Sequence, residues 1–104
     1  MYTVSNHFQI KKGFAERMAS AFTSQKELTE FDGFQKVEVM INRQVEEYDE
    51  LYVQMYWDSL TNFEAWKESD HFKKSHDRER TANPNSPILS NRIIIAEVLS
   101  TLNA

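Results

Sequence analysis

From Tyr2 to Ile10 the chain alternates: Tyr2, Val4, Asn6, Phe8 and Ile10 share one side, and Thr3, Ser5, His7 and Gln9 the other. That is the period of a strand with one buried face. The period changes after Lys12. Phe14, Met18 and Phe22 recur every fourth position, so an amphipathic helix is expected over residues 12–28, and "EFDGF" supplies the turn that follows. Alternation returns from Phe34 to Asn42, with Val37, Val39 and Ile41 opposite Lys36, Glu38 and Met40. It returns again from Leu51 to Trp57, with Leu51, Val53, Met55 and Trp57 opposite Tyr52, Gln54 and Tyr56. The polar run "NRQVEEYDE" between these strands makes them a hairpin.

A second helix begins in "DSLTNFEAW", capped by Ser59 or, as the competing start, by Thr61 with Glu64 in capping-box spacing. Ser69 opens a further helical segment, "SDHFKKSHDRER". In "TANPNSP" Asn83 and Ser86 each precede a proline and are pushed out of helical dihedrals, which makes a loop. "NRIIIAEVLS" is β-branched and apolar on both sides, the mark of a last strand that is central or covered on both faces. The order β-α-β-β-α-β is that of a ferredoxin-like split βαβ: an α+β fold, four antiparallel strands with helices on one face. Met40, Tyr52, Tyr56, Ile94 and Val98 give the opposite face more apolar and aromatic area than a solvated sheet needs. A homodimer built by sheet-to-sheet packing is expected.

Composition narrows the function. A chain of 104 residues with 40% hydrophobic and 27% charged residues, two glycines and two prolines fits one globular domain over 1–104. Acids outnumber bases, for a net charge of −4, which argues against a nucleic-acid partner. No apolar run approaches a membrane span, and "MYTVSNHFQI" lacks the order of a signal peptide, so a cytoplasmic protein without a membrane partner is expected. The absence of cysteine removes disulfides, thiol nucleophiles and thiolate metal sites. Any metal chemistry then rests on His, carboxylate, Tyr or a cofactor.

Three residues invite a chemical reading. Asn6 lies mid-strand beside Val4 and Phe8, where an inward amide is either satisfied by neighbouring backbone or donates to something bound. His76 is four positions after Phe72 and shares its inward face, whereas His71, Lys74 and Arg78 lie among charges and His7 falls on the polar side of its strand. It is either a satisfied core histidine or a ligand. Trp66 and Phe63 face inward together as core or as a pocket wall. G-x-S-x-G, H-E-x-x-H and glycine-rich phosphate loops are absent, and Glu46, Glu47, Asp49 and Glu50 read as a solvated charge run in the hairpin loop. Together the three describe a pocket with one metal ligand, one hydrogen-bond donor and one bulky wall.

From "VSNHF" through "FDGF", "FEAWKESDHFKKSH" and "SPILSNRI", the chain resembles the IsdG-type haem-degrading monooxygenases of the antibiotic-biosynthesis-monooxygenase-like superfamily. That family has a dimeric ferredoxin-like fold, an α/β barrel-like assembly, and a triad whose Asn, Trp and His match Asn6, Trp66 and His76. The resemblance implies that His76 is the proximal ligand of haem iron, that Asn6 hydrogen-bonds on the distal side, and that Trp66 distorts the porphyrin. Haem b is then both cofactor and substrate, with dioxygen and an external electron donor, a reductase or small reductant, as co-reactants. Phe22, Phe63, Phe72 and Val53 are candidate apolar walls, and Lys73, Lys74, Arg78 and Arg80 candidate partners of the propionates, most of them on a solvated helix face. Two other readings use the same pocket: a cofactor-independent monooxygenase on a small aromatic substrate, and a non-catalytic haem-binding or signalling module. The triad leaves open whether the product resembles staphylobilin or biliverdin.

Overall fold

In the computed structural model, which describes residues 1–73 and 86–104, four antiparallel strands form one sheet in the order β2-β3-β1-β4. The strands are β1 (Tyr2–Ile10), β2 (Phe34–Asn42), β3 (Asp49–Trp57) and β4 (Ile88–Glu97). Helix α1 (Ala15–Thr23) and a 3-10 turn (Lys26–Glu30) follow β1, and α2 (Leu60–Lys67) follows β3. The ferredoxin-like order expected from the alternating segments is the one found.

Parity decides what each strand buries. On β3 every second residue from Asp49 to Trp57 is buried, and Leu51 and Trp57 are sealed almost completely. Burying each of the larger apolar side chains contributes about 1.5–3 kcal/mol. Two clusters result: Phe8, Ile10, Leu51 and Val53 beneath α1, and Val4, Leu28, Met55, Trp57, Phe63 and Trp66 beneath the 3-10 turn and α2. Gly33 adopts φ +80, and a Cβ there would clash with the Asn62 side chain, so the turn into β2 and the first turn of α2 fit together only around glycine.

Four expectations need correction. The helix expected over 12–28 is shorter and broken. Gly13, at φ +91, delays its start, and the hydroxyls of Ser20, Thr23 and Ser24 bond back to carbonyls three residues earlier, which weakens the continuing ladder before the 3-10 turn takes over. Phe14 is therefore the N-cap residue and exposed, while Ala15, Met18, Ala19 and Phe22 make the inward stripe. β4 is an edge strand and not a central one, because the split βαβ order puts β1 inside and α1 and α2 pack over β2 and β3. Ile93 and Ile95, paired with Asn6 and Val4 on the helix side of the sheet, remain 59% and 50% exposed. Finally, Asp49 and Glu50 belong to β3 and not to the hairpin loop.

Of the two competing starts for α2, Ser59 is the cap: its Oγ accepts from the Asn62 amide at 3.2 Å. The chain then bends at Glu68–Ser69. Ser69 Oγ donates to Trp66 O and accepts from the Phe72 amide, which restarts helix over residues 70–73. Most of the "TANPNSP" loop lies outside the described residues. The opposite sheet face carries a hydrogen-bonded ladder, Ser5 to Gln54 at 2.9 Å and Gln54 to Tyr56 at 2.6 Å, beside half-exposed Met40.

Candidate functional site

Two cavities of opposite character open among the described residues. The first, of about 280 Å³, lies where the Gly13 turn meets Arg43 and the start of β3. Lys12 Nζ stands 3.2 Å from Asp49 Oδ1, the Gly13 amide donates to Asp49 Oδ2 at 3.4 Å, and Arg43 pairs with Glu16. Burial pushes the Asp49 carboxyl up, but the Lys12 hydrogen bond, the Gly13 amide and the Lys12 and Arg43 charges outweigh it and hold the carboxyl below its ordinary value. Every charged side chain lining this cavity has a partner of opposite sign. It is an ionic corner whose charges are matched within it.

The second cavity is an apolar cleft of about 190 Å³ between the sheet and the helices. Val4, Asn6 and Phe8 of β1 and Val53 and Met55 of β3 form its floor; Phe22, Leu28, Phe63, Trp66 and Phe72 form its roof. Ile93 and Ile95 line the side where β4 runs out from under the helices. The cleft exists because the helices cover only part of the sheet. Asn6, Trp66, Phe22, Phe63, Phe72 and Val53 are thus brought together in one place. His76, with Lys74, Arg78 and Arg80, lies outside the described residues; Lys73 is exposed.

Asn6 is the polar group in the floor. Its Oδ1 accepts from Asn91 Nδ2 at 3.3 Å, and its own Nδ2 has no partner among the described residues. Asn91 therefore takes the carbonyl and leaves the donor available. Trp66 is 8% exposed and wedged among aromatics, with Phe72 edge-on at 4.8 Å and Trp57 at 5.8 Å. Its indole Nε1 donates to His71 Nδ1 at 3.4 Å, and His71 Nε2 stands 3.4 Å from Glu27 Oε2. His71 is thus not on a solvated face as its charged neighbours suggested: its side chain is 17% exposed and both ring nitrogens face partners. His7 lies tilted against the Tyr52 ring at 4.5 Å on the far side of the sheet. Among the described residues no three His, Cys, Asp or Glu side chains gather into a metal site, and no helix is long and apolar enough to cross a membrane.

Two partners escaped the sequence reading. Lys67 lines the cleft with its ammonium 5.5 Å from the Phe63 ring, although it follows Trp66 directly and reads as a solvent-facing helix position. His71 is five residues past Trp66, a spacing that an unbroken helix would splay by about 140°; the bend at Glu68–Ser69 brings them together. The signal for that bend was Ser69 as a second cap.

A four-stranded antiparallel sheet with helices over one face and an apolar cleft between them defines a ferredoxin-like scaffold. The chain belongs to the antibiotic biosynthesis monooxygenase family, whose model matches residues 1–78. It is 43% identical, over 99% of its length and all of the relative's, to a heme oxygenase (staphylobilin-producing) of Staphylococcus saprophyticus. It is 42% identical over the same spans to the heme oxygenase (staphylobilin-producing) of Staphylococcus haemolyticus. The heme-degrader MhuD from Mycobacterium tuberculosis, solved with two hemes bound in its active site, has the same fold at TM-score 0.70 and 15% identity, covering 99% of this chain and all of that one.

Proposed function

We propose that this protein is a haem-degrading monooxygenase that binds haem in the apolar cleft, opens the porphyrin ring with dioxygen and an external reductant, and releases the iron. The observation that carries the reading is the cleft itself: a flat slot of aromatic and aliphatic walls whose floor presents one amide donor with no partner among the described residues. Such a lining fits a porphyrin, which needs apolar faces and few, well-placed polar contacts. At about 190 Å³ the slot is smaller than the roughly 300–1,000 Å³ usual for small-molecule sites, so a macrocycle would fill it and extend over Ile93 and Ile95.

Haem supplies the iron at which dioxygen is activated and is itself the substrate. The chain supplies position and strain. His76 would hold the iron, as the family resemblance implies; of the other two histidines, His7 is on the other face of the sheet and both nitrogens of His71 face other groups. Asn6 donates from Nδ2 into the slot, with its orientation fixed by Asn91. Trp66, packed among aromatic neighbours, would press on the ring from the roof. Lys67 is the cation of the described lining and can meet a propionate at the slot's edge. The names of the relatives support a staphylobilin-type product. We place the enzyme in the cytoplasm as a homodimer joined through the opposite sheet face.

Titrating the apoprotein with hemin should produce a saturable Soret band, and adding ascorbate or a reductase under air should bleach it and release chelatable iron. Hemin that binds no better than to an unrelated protein would end the proposal. A stable reduced haem would leave binding without degradation, and a monomer mass by light scattering at micromolar concentration would reject the dimer.

A further inference from the structure

We infer that His71 is the positioning residue for Trp66, setting the rotation of the indole through an acceptor at Nδ1, with Glu27 holding the imidazole in place. The inference rests on the proposed role of Trp66 at the haem slot and adds the device that aims it.

The geometry is a chain across three elements: Glu27 of the 3-10 turn, His71 of the helical restart and Trp66 of α2. Trp66 Nε1 carries the only hydrogen of that indole able to donate, and it lies 3.4 Å from His71 Nδ1. For Nδ1 to accept, the imidazole proton must sit on Nε2. Nε2 is the atom that faces the Glu27 carboxylate at 3.4 Å, so both contacts select one tautomer. Phe31 lies 6.0 Å from the imidazole ring and limits its tilt.

The second tryptophan of the same aromatic cluster provides the contrast. Trp57 is fully buried, yet its Nε1 has no hydrogen-bond partner among the described residues. Apolar packing alone is therefore sufficient to place an indole in this core. Trp66, which lines the cleft, has in addition an acceptor at its N–H and a carboxylate behind that acceptor. Phe72, Phe63 and Trp57 restrict where the Trp66 ring lies, but χ2 of an aromatic has broad wells, and a directional bond to Nε1 selects between the two edges of the indole. A ring that must press on a macrocycle in one orientation needs that selection.

The test compares two polar replacements. His71→Asn puts an amide group near the place of Nδ1, whereas His71→Gln reaches the place of Nε2. With two tryptophans in the chain, ¹⁵N-labelled protein gives two indole N–H signals, assigned with Trp66→Phe. In His71→Gln the Trp66 indole signal should shift and exchange faster with solvent. Hemin should still bind, and ring opening should slow by roughly 10- to 100-fold, the usual loss when an orienting partner of a working residue is removed. His71→Asn should restore the signal and most of the rate. Wild-type signals and rates in His71→Gln, or equal losses in both variants with intact folds, would overturn the inference. If Trp66→Phe leaves ring opening unchanged, the proposed role of Trp66 fails instead, and with it the need for His71; a Trp66 effect without a His71→Gln effect refutes His71 alone.

Discussion

The two cavities lie on one small chain and differ in how they treat polar groups. In the ionic corner every charged lining residue is matched: Lys12 to Asp49, Arg43 to Glu16, with the Gly13 amide adding a second donor to the buried carboxylate. In the apolar cleft the Asn6 amide nitrogen has no partner among the described residues. A carboxylate in that position is unfavourable without its partners, so they serve folding. The Asn6 nitrogen is not sealed from solvent, so it stands ready to donate to a bound group at no cost to the fold. The difference sets an apolar cleft with an available donor against a corner whose charges are spent on one another.

The strongest way to break that contrast is at the iron ligand. His76→Ala should abolish or strongly shift the Soret band on hemin titration and eliminate ring opening, read in a variant whose circular dichroism shows it folded. A normal Soret band in that variant would move the ligand elsewhere. The next effect belongs to the floor: Asn6→Ala should bind hemin nearly as well but lose turnover by about 10²–10³-fold, the scale for removing one preorganised donor. Full activity would show that the unpaired amide is incidental. Asn91→Ala should give a smaller loss in the same direction, because it frees the Asn6 carbonyl without removing the donor.

The roof requires a gentler substitution. Trp66 is a core residue as well as a cleft wall, and truncation to alanine would destabilise the fold by about 3–5 kcal/mol. Trp66→Phe keeps the packing and removes the bulk, and it should bind haem with slower or altered ring opening, read by the bleaching rate and the product spectrum. Unchanged kinetics would remove the distorting role.

Much of this was legible in the residues. Period-2 alternation located the first three strands and a β-branched run the fourth, and the resemblance in "VSNHF" and "FEAWKESDHFKKSH" picked out Asn6 and Trp66, which the fold brings into one cleft. What stayed hidden depended on tertiary context. The exposure of Ile93 and Ile95 follows from how far the helices reach across the sheet, which a run of β-branched residues does not encode. The Trp66–His71 pair follows from a bend between two short helical pieces. Asp49 was the nearest miss: it is in phase with Leu51 and Val53, so extending the alternation two residues backwards would have placed its carboxylate inside.

That carboxylate supplies the smallest and cleanest test of the contrast, because it should affect stability and leave the haem slot alone. Asp49 has a folded-state pKa below its unfolded value, so its partners stabilise the ionised form. A group shifted in that direction contributes its full stabilisation above the unfolded pKa, about 3.9, and loses it as pH falls through the lower folded value. Asp49→Asn should therefore lower the urea midpoint at neutral pH, and the gap from wild type should close as pH falls below about 4. Lys12→Met should do the same by removing the first of the partners that hold the carboxyl down. In both variants hemin affinity and ring-opening rate at neutral pH should match wild type. A variant in this corner that changed turnover without changing stability would mean that the two cavities are coupled through β1 or α1, and the division of labour drawn between them would be wrong.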